Sequence, residues 1–250
     1  MSSKEIFSIK NKNVIITGGG RGLGFEIANY FQNNGAKVFV FDKSFNKKFL
    51  NKDVNKIKCN FFEKKKTITL IKNYLKKNKV DILINCAAIT IPNVENFSQS
   101  VKNWEKTINI NLNVPYIFCK IIGEDMIKRK IKGRIINFSS IGGEVGFPNN
   151  HSYGPSKSGL SQMTKSLAND WGKYNININT IVPGYFSTEM NRFSWQNKHK
   201  KKQRSNKTLL NRWGSPSEII GSVVFLSSEA SSYITGTQIV VDGGWLAKGL

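Results

Sequence analysis

"NVIITGGGRGLGFEIANYFQNNG", residues 13–35, runs an apolar stretch, a glycine-rich turn and a helix-like stretch together without a gap. Five glycines fall within the eight residues 17–24. Glycine loses more conformational freedom on folding than any other residue, so a turn this rich must serve close backbone approach. A strand feeding such a turn and then a helix directs unpaired N–H groups and the positive end of the helix at a phosphate. The spacing Thr17-Gly18-x-x-x-Gly22-x-Gly24 differs from G-x-G-x-x-G. Taken alone, the turn is also compatible with a purely structural role.

The rest of the chain repeats the strand–helix alternation. Strands are predicted at 14–17, 37–41, 56–59, 81–85, 134–138, 176–182 and 238–241, with helical patterns near 23–33, 64–78, 101–129, 154–173 and 216–228. Short, wholly apolar strands separated by helices indicate a parallel sheet buried on both faces. The expected fold is α/β: one Rossmann-type domain over residues 1–250, a doubly wound parallel sheet of about seven strands with helices on both faces. One stretch breaks the rhythm. Residues 184–212, "GYFSTEMNRFSWQNKHKKKQRSNKTLLNR", are long, basic and weakly periodic, which is the pattern of an irregular active-site lid, placed around 185–212.

Composition narrows the function classes. The 250 residues are 39% hydrophobic and 22% charged, as in ordinary globular chains. No apolar run is long enough to span a bilayer, and the start has no signal-peptide pattern, so a cytoplasmic location is expected. Cys59, Cys86 and Cys119 are odd in number and far apart, and there are only two histidines, His151 and His199. That pattern argues for reduced thiols and against a disulfide framework or a metal centre. The net charge of +22 suits nucleic acid, anionic lipid or acidic substrates. Lysine is spread along the whole chain, however, without the aromatic–basic interleaving of a stacking platform, so the charge reads as a solvated surface and nucleic acid as an improbable partner.

The second strand sharpens the phosphate reading. "KVFVFD" ends in Asp42, some twenty residues beyond the turn, where a carboxylate can accept hydrogen bonds from an adenosine ribose. It would repel a 2′-phosphate, which favours NAD. Arg21, inside the turn, could pair with that phosphate and keeps NADP open.

The chemistry lies downstream. Tyr153 and Lys157 stand at i, i+4 and share one helix face; Pro155 between them is tolerated if the helix starts there. A phenol with an ordinary pKa near 10 is a poor proton-transfer group at neutral pH. A neighbouring ammonium, aided by a positive nicotinamide, would lower that value. Ser139 and Ser140 follow a buried strand at its C-terminal end, where sites in open α/β sheets form.

Together these residues resemble the short-chain dehydrogenases/reductases. The glycine turn, Asn111 after "WEKTINI", Ser140, Tyr153-x-x-x-Lys157 and Pro183-Gly184 follow the family's order and spacing over nearly the whole chain. The resemblance implies that Tyr153 is the general acid/base, Ser140 (rather than Ser139) binds the carbonyl oxygen, Lys157 holds the nicotinamide ribose, and Asn111 positions a water in the proton relay. It places the cofactor against Gly18, Arg21, Gly22, Leu23, Gly24, Asp42, Asn60, Asn85, Ala87, Tyr153, Lys157, Pro183, Gly184 and Thr188. Two positions depart from the family pattern. Asn85-Cys86-Ala87-Ala88 stands where Asn-Asn-Ala-Gly is common, and Asn60 replaces an aspartate that meets the adenine.

Within the family the chain looks like the sugar-acid dehydrogenases, through "IVPGYFSTEM", "LANDWGKYNININ" and its last forty residues. That implies an NAD(P)-dependent oxidoreductase of a sugar acid or polyol, and a homotetramer. Arg192, Lys198, His199 and Lys200 to Lys202 in the lid, with His151, are candidates to attract a carboxylate or simply solvated. The apolar tail with Trp245 and Leu246 packs either on another subunit or within the monomer. Two other readings stay open: a 3-oxoacyl-[acyl-carrier-protein] reductase, and a nucleotide-sensing or nucleic-acid-binding protein without turnover.

Overall fold

A computed structural model describes residues 3–45, 53–91 and 100–248. Seven parallel strands form one sheet: β1 (Asn13–Thr17), β2 (Lys37–Asp42), β3 (Asn55–Lys58), β4 (Ile82–Asn85), β5 (Arg134–Phe138), β6 (Asn177–Pro183) and β7 (Gln238–Val241). Their spatial order is β3-β2-β1-β4-β5-β6-β7. The chain therefore reverses its direction of winding between β1 and β4, and this opens a crevice above their C-terminal ends.

The helices are α1 (Ser3–Ile6), α2 (Gly22–Asn33), α3 (Lys64–Leu75), α4 (Val101–Ile108), α5 (Val114–Lys128), α6 (Tyr153–Trp171), α7 (Arg192–Trp195), α8 (Lys198–Ser205) and α9 (Ile220–Ser227). The period of two sorts the strand side chains into two cores. Ile15, Phe39, Phe41, Leu83 and Ile135 meet Ile71, Tyr74, Ile117 and Phe118 on one face. Val14, Ile16, Val38, Val40, Ile84 and Ile136 meet Ile27, Phe31, Val223 and Leu226 on the other. Burial on both faces is what made these strands read as unbroken apolar runs.

The structure departs most from the sequence reading in the segments 101–129 and 185–212, and it adds the short α1. The predicted helix 101–129 is broken by a π-helical turn at Asn109–Asn113. The predicted irregular lid contains α7 and α8. The lid leaves and returns through a parallel bridge between Phe186 and Gly214. Among the described residues no helix is long and apolar enough to cross a membrane, and no group of three or more potential metal ligands is present.

Candidate active site and cofactor cradle

The glycine turn is wedged among the ends of β1, β2 and β4. Gly18 adopts φ +71°, and a Cβ there would lie 2.6 Å from the Ala87 Cα. Its N–H donates to the Phe41 carbonyl at 2.9 Å, and the Ala87 N–H donates to Thr17 Oγ1 at 3.3 Å. Gly24 packs on the Gly18 carbonyl so tightly that a Cβ would overlap it. Gly22 (φ +60°) has open space up to Thr188, 3.8 Å from where its Cβ would stand. At Gly18 and Gly24 a Cβ would clash, so only glycine fits there, while Gly22 is favoured by its left-handed backbone.

Helix α2 then starts with no side-chain cap and no acidic residue in its first turn. Its leading amides are left for an external anion. A bare helix start, a turn stripped of Cβ atoms and Thr188 opposite them fit the pyrophosphate of a dinucleotide. Leu23 turns its side chain to the apolar layer beneath α2, so it can offer such a ligand only backbone. Pro183 ends β6 beside Val241. At Gly184 a Cβ would strike Asp242, 2.6 Å from its Cα.

Asp42 is 7% exposed. Its Oδ2 accepts the Gly20 N–H at 2.9 Å and its Oδ1 the Ser44 N–H at 3.2 Å. It therefore shapes the glycine turn from within.

Several sequence-predicted cofactor contacts are occupied otherwise. Arg21 faces Glu189 across the lid entrance at 3.8 Å, both half-exposed. The Asn60 oxygen accepts the Phe62 N–H at 3.3 Å and its amide donates to Glu63 at 2.9 Å, a local turn in place of an open acceptor. Asn85 is buried under the sheet. Its amide donates to Asn137 Oδ1 at 2.9 Å, which in turn donates through Nδ2 to Thr164 Oγ1 at 2.8 Å. Its side chain is thus a strut between β4, β5 and α6. Ala88 is not among the positive-φ residues, so alanine in place of glycine brings no backbone strain there.

The residues that the sequence reading assigns to proton transfer converge beside the turn. Ser140 leaves β5 extended and its hydroxyl accepts the Gly142 N–H at 3.1 Å; that hydroxyl also lies near enough to the Tyr153 phenol to favour its ionised form. Ser139 instead donates to the Lys157 carbonyl at 3.0 Å. Helix α6 begins at Tyr153, so Pro155 lies in a first turn that needs no donor from it. Lys157, 2% exposed, donates to the Phe138 carbonyl at 2.6 Å, with Nζ 5.9 Å from the Tyr153 ring centre. Burial lowers its ammonium to about 8.

Burial also raises the Tyr153 phenol, and the Ser140 hydroxyl opposes this only in part. The lowered phenol expected from the sequence counts on a positive nicotinamide together with the ammonium; the protein's own groups do not outweigh burial. The difference is physical: the ammonium meant to stabilise the phenolate is itself disfavoured by the same dry surroundings.

Asn111 sits in the π turn, fully buried. Its Oδ1 accepts the Ile89 N–H at 2.8 Å, and its Nδ2 donates to the Ile89 carbonyl at 2.9 Å and to Ser156 Oγ at 3.1 Å. It joins the strand-end loop to α6, directly behind Tyr153.

Sequence reasoning missed two features. Cys86 is an electrostatic neighbour of both Tyr153 and Lys157, and burial pushes its thiol up to about 12. An aromatic wall also leads away from Tyr153. A Cβ on Gly142 would touch Tyr153 and Phe147 alike; Phe147 meets Trp245 at 6.0 Å, Trp245 meets Tyr185 at 6.4 Å, and Tyr185 meets Trp213 at 5.2 Å between ring centres. Trp245 thus packs within its own chain, while the last two tail residues lie outside the described set. The only available sequence signal was Tyr185, immediately after Pro183-Gly184.

Comparison with known proteins agrees with this geometry. A family model described as Enoyl-(Acyl carrier protein) reductase matches residues 18–246. The chain is 38% identical over 170 residues to 2-dehydro-3-deoxy-D-gluconate 5-dehydrogenase of Dickeya dadantii, covering 68% of this chain and 67% of that one. It is 33% identical over 244 residues to a 3-oxoacyl-[acyl-carrier-protein] reductase of Chlamydia trachomatis, covering 94% and 97%. A gluconate 5-dehydrogenase from Burkholderia cenocepacia, solved in complex with NADP and tartrate, superposes with a TM-score of 0.90 at 26% identity, covering 99% of this chain and 100% of that one. The glycine cradle, the Ser140–Tyr153–Lys157 cluster and these relationships have one common reading: the chain belongs to the short-chain dehydrogenase/reductase family and is an oxidoreductase that uses a nicotinamide cofactor.

Proposed function

We propose that the protein interconverts a secondary alcohol and a ketone on a sugar acid, with Tyr153 as general acid/base. The observation that carries this reading is the convergence of Tyr153, Ser140 and Lys157 at the mouth of the glycine cradle. A bound nicotinamide supplies or accepts the hydride. Ser140, beside the phenol, orients the substrate oxygen. In oxidation the substrate hydroxyl gives its proton to the Tyr153 phenolate as the hydride leaves its carbon; in reduction Tyr153 returns the proton to the forming alkoxide. Lys157, anchored on the Phe138 carbonyl, reaches the ribose position from below Tyr153. Asn111 stiffens the floor of the relay, and its position suits the holding of a water there.

Gly18, Gly22, Gly24, Ala87, Pro183, Gly184 and Thr188 form the cofactor cradle in this reading, and residues 185–212 its lid. Asp42 supports NAD over NADP through repulsion of a 2′-phosphate. The ion pair of Arg21 with Glu189 supports the same choice, since that guanidinium already has an anionic partner. The NADP-bound Burkholderia relative is the counterweight. Sugar acid is favoured by the Dickeya and Burkholderia relatives. Acyl carrier-protein reduction is the second reading, favoured by the Chlamydia relative and the family model.

The test is a panel of sugar acids, polyols and 3-oxoacyl thioesters with each cofactor, read by NAD(P)H absorbance. A sugar acid with NAD is expected to exceed every polyol and thioester at least tenfold in kcat/KM. Turnover confined to thioesters with NADPH would overturn both the substrate and the cofactor assignment. A homotetramer is also proposed, on the family resemblance; a monomer mass by light scattering would remove it.

A further inference from the structure

Six arginines occur in the chain, and five have polar partners. Arg21 faces Glu189, Arg129 pairs with Asp125, Arg134 with Glu229 and Arg212 with Glu218, while Arg192 donates to Gln196. Arg204 has none among the described residues. Its guanidinium instead lies 4.8 Å from the ring centre of Tyr185 and 5.8 Å from that of Trp213. The two rings lie close enough to desolvate the group in part, while its five N–H donors go unfilled among the described residues. The rings beneath it belong to the wall that runs through Trp245 and Phe147 back to Tyr153. That wall carries a second unmet donor, since the Trp245 indole N–H is buried without an acceptor.

We infer that Arg204 is the substrate-carboxylate anchor of this enzyme, a planar fork presented on the lid at the far end of the aromatic wall from Tyr153. The inference rests on the sugar-acid reading above and adds to it a specific determinant of acid over neutral substrate. A carboxylate matches the guanidinium fork in a bidentate pair, and a stacked arginine has already surrendered the rotamer freedom that such a pair costs. The neighbouring Lys198, Lys200, Lys201 and Lys202 are exposed point charges without such a platform and serve at most to raise the local anion concentration. Because α8 supplies Arg204, substrate binding and the seating of the lid are one event. An acid bridges the lid to the wall, whereas a neutral polyol leaves the fork unfilled.

The experiment uses the sugar acid that the wild-type enzyme turns over fastest and its primary amide, which keeps every hydroxyl and removes the charge. Arg204→Gln is expected to lower kcat/KM for the acid ~10–100-fold, mostly through KM, and to change the amide less than about threefold. Arg204→Lys should recover part of the loss on the acid. Cofactor affinity, measured by quenching of protein fluorescence, should stay within about twofold of wild type, which separates the effect from a disturbed fold. Equal losses on acid and amide would mean that the stack merely fastens the lid and would overturn the proposal. Undiminished preference of Arg204→Gln for the acid would also overturn it, while leaving the sugar-acid reading intact. A wild-type enzyme with no turnover of any sugar acid would instead sink the reading on which the proposal rests, and the proposal with it.

Discussion

Lys157 is a buried ammonium whose titration reports the site. Its value of about 8, against the ordinary 10.5, means that between these limits the unfolded chain binds more protons at this residue than the folded one does. The fold therefore gains stability from Lys157 as pH rises through that window, by up to roughly 3 kcal/mol. Raised groups act oppositely: the thiols of Cys86 and Cys119, pushed up to about 12, and the raised Tyr153 phenol weaken the fold at higher pH. Comparison with Lys157→Met cancels most of those contributions. Urea unfolding at pH 7.5 and pH 10 should show wild type gaining on the variant with rising pH; a difference that stays flat would mean that Lys157 is not held in a dry site. The same variant should lose ~100-fold or more in kcat, since the phenol loses the ammonium 5.9 Å from its ring centre. None of this was visible in the spacing of Tyr153 and Lys157, which specifies a shared helix face but not how dry that face is.

Among the elements, the lid is where sequence and structure part most. Helix α8, "KHKKKQRS", has no apolar face, so no period of 3.6 could announce it. It is held by neighbours outside the helix: the Trp213 indole N–H donates to the Lys201 carbonyl at 3.2 Å, and the Arg204 guanidinium lies over the rings of Tyr185 and Trp213. Trp213→Ala removes the buried ring that joins these contacts, a loss on the scale of ~3–5 kcal/mol. Tryptic cleavage within residues 198–204 should accelerate at least tenfold in that variant; cleavage at the wild-type rate would show that Trp213 does not seat the lid.

The π turn at Asn109–Asn113 was hidden for a related reason. It is fixed by Asn111 reaching to Ile89 across 22 residues, and periodicity within 101–129 cannot register such a contact. The strands were legible almost to the residue because burial on both faces leaves an unbroken apolar run. Strand β3, "NKIK", is the weakest of them and was displaced by one residue because it lies at the sheet edge, largely exposed.

At the scale of the molecule, the order β3-β2-β1-β4-β5-β6-β7 gathers the parts of one site from residues far apart in sequence. The β1 end brings the glycine turn, the β2 end Asp42, the β5 end Ser140, and the β6 end Pro183-Gly184 and the lid. The chain as a whole carries a net charge of +22, favouring the approach of anions at low ionic strength and less so as salt screens it.

The central claim is that Tyr153 exchanges the proton with the substrate oxygen while a bound nicotinamide exchanges the hydride, and one comparison tests it directly: turnover and cofactor affinity of Tyr153→Phe beside wild type. The phenyl ring keeps the packing against Gly142 and removes only the hydroxyl. The account predicts a loss of at least ~1,000-fold in kcat with cofactor affinity within about threefold of wild type. Turnover within tenfold of wild type, with the cofactor still bound, would contradict it.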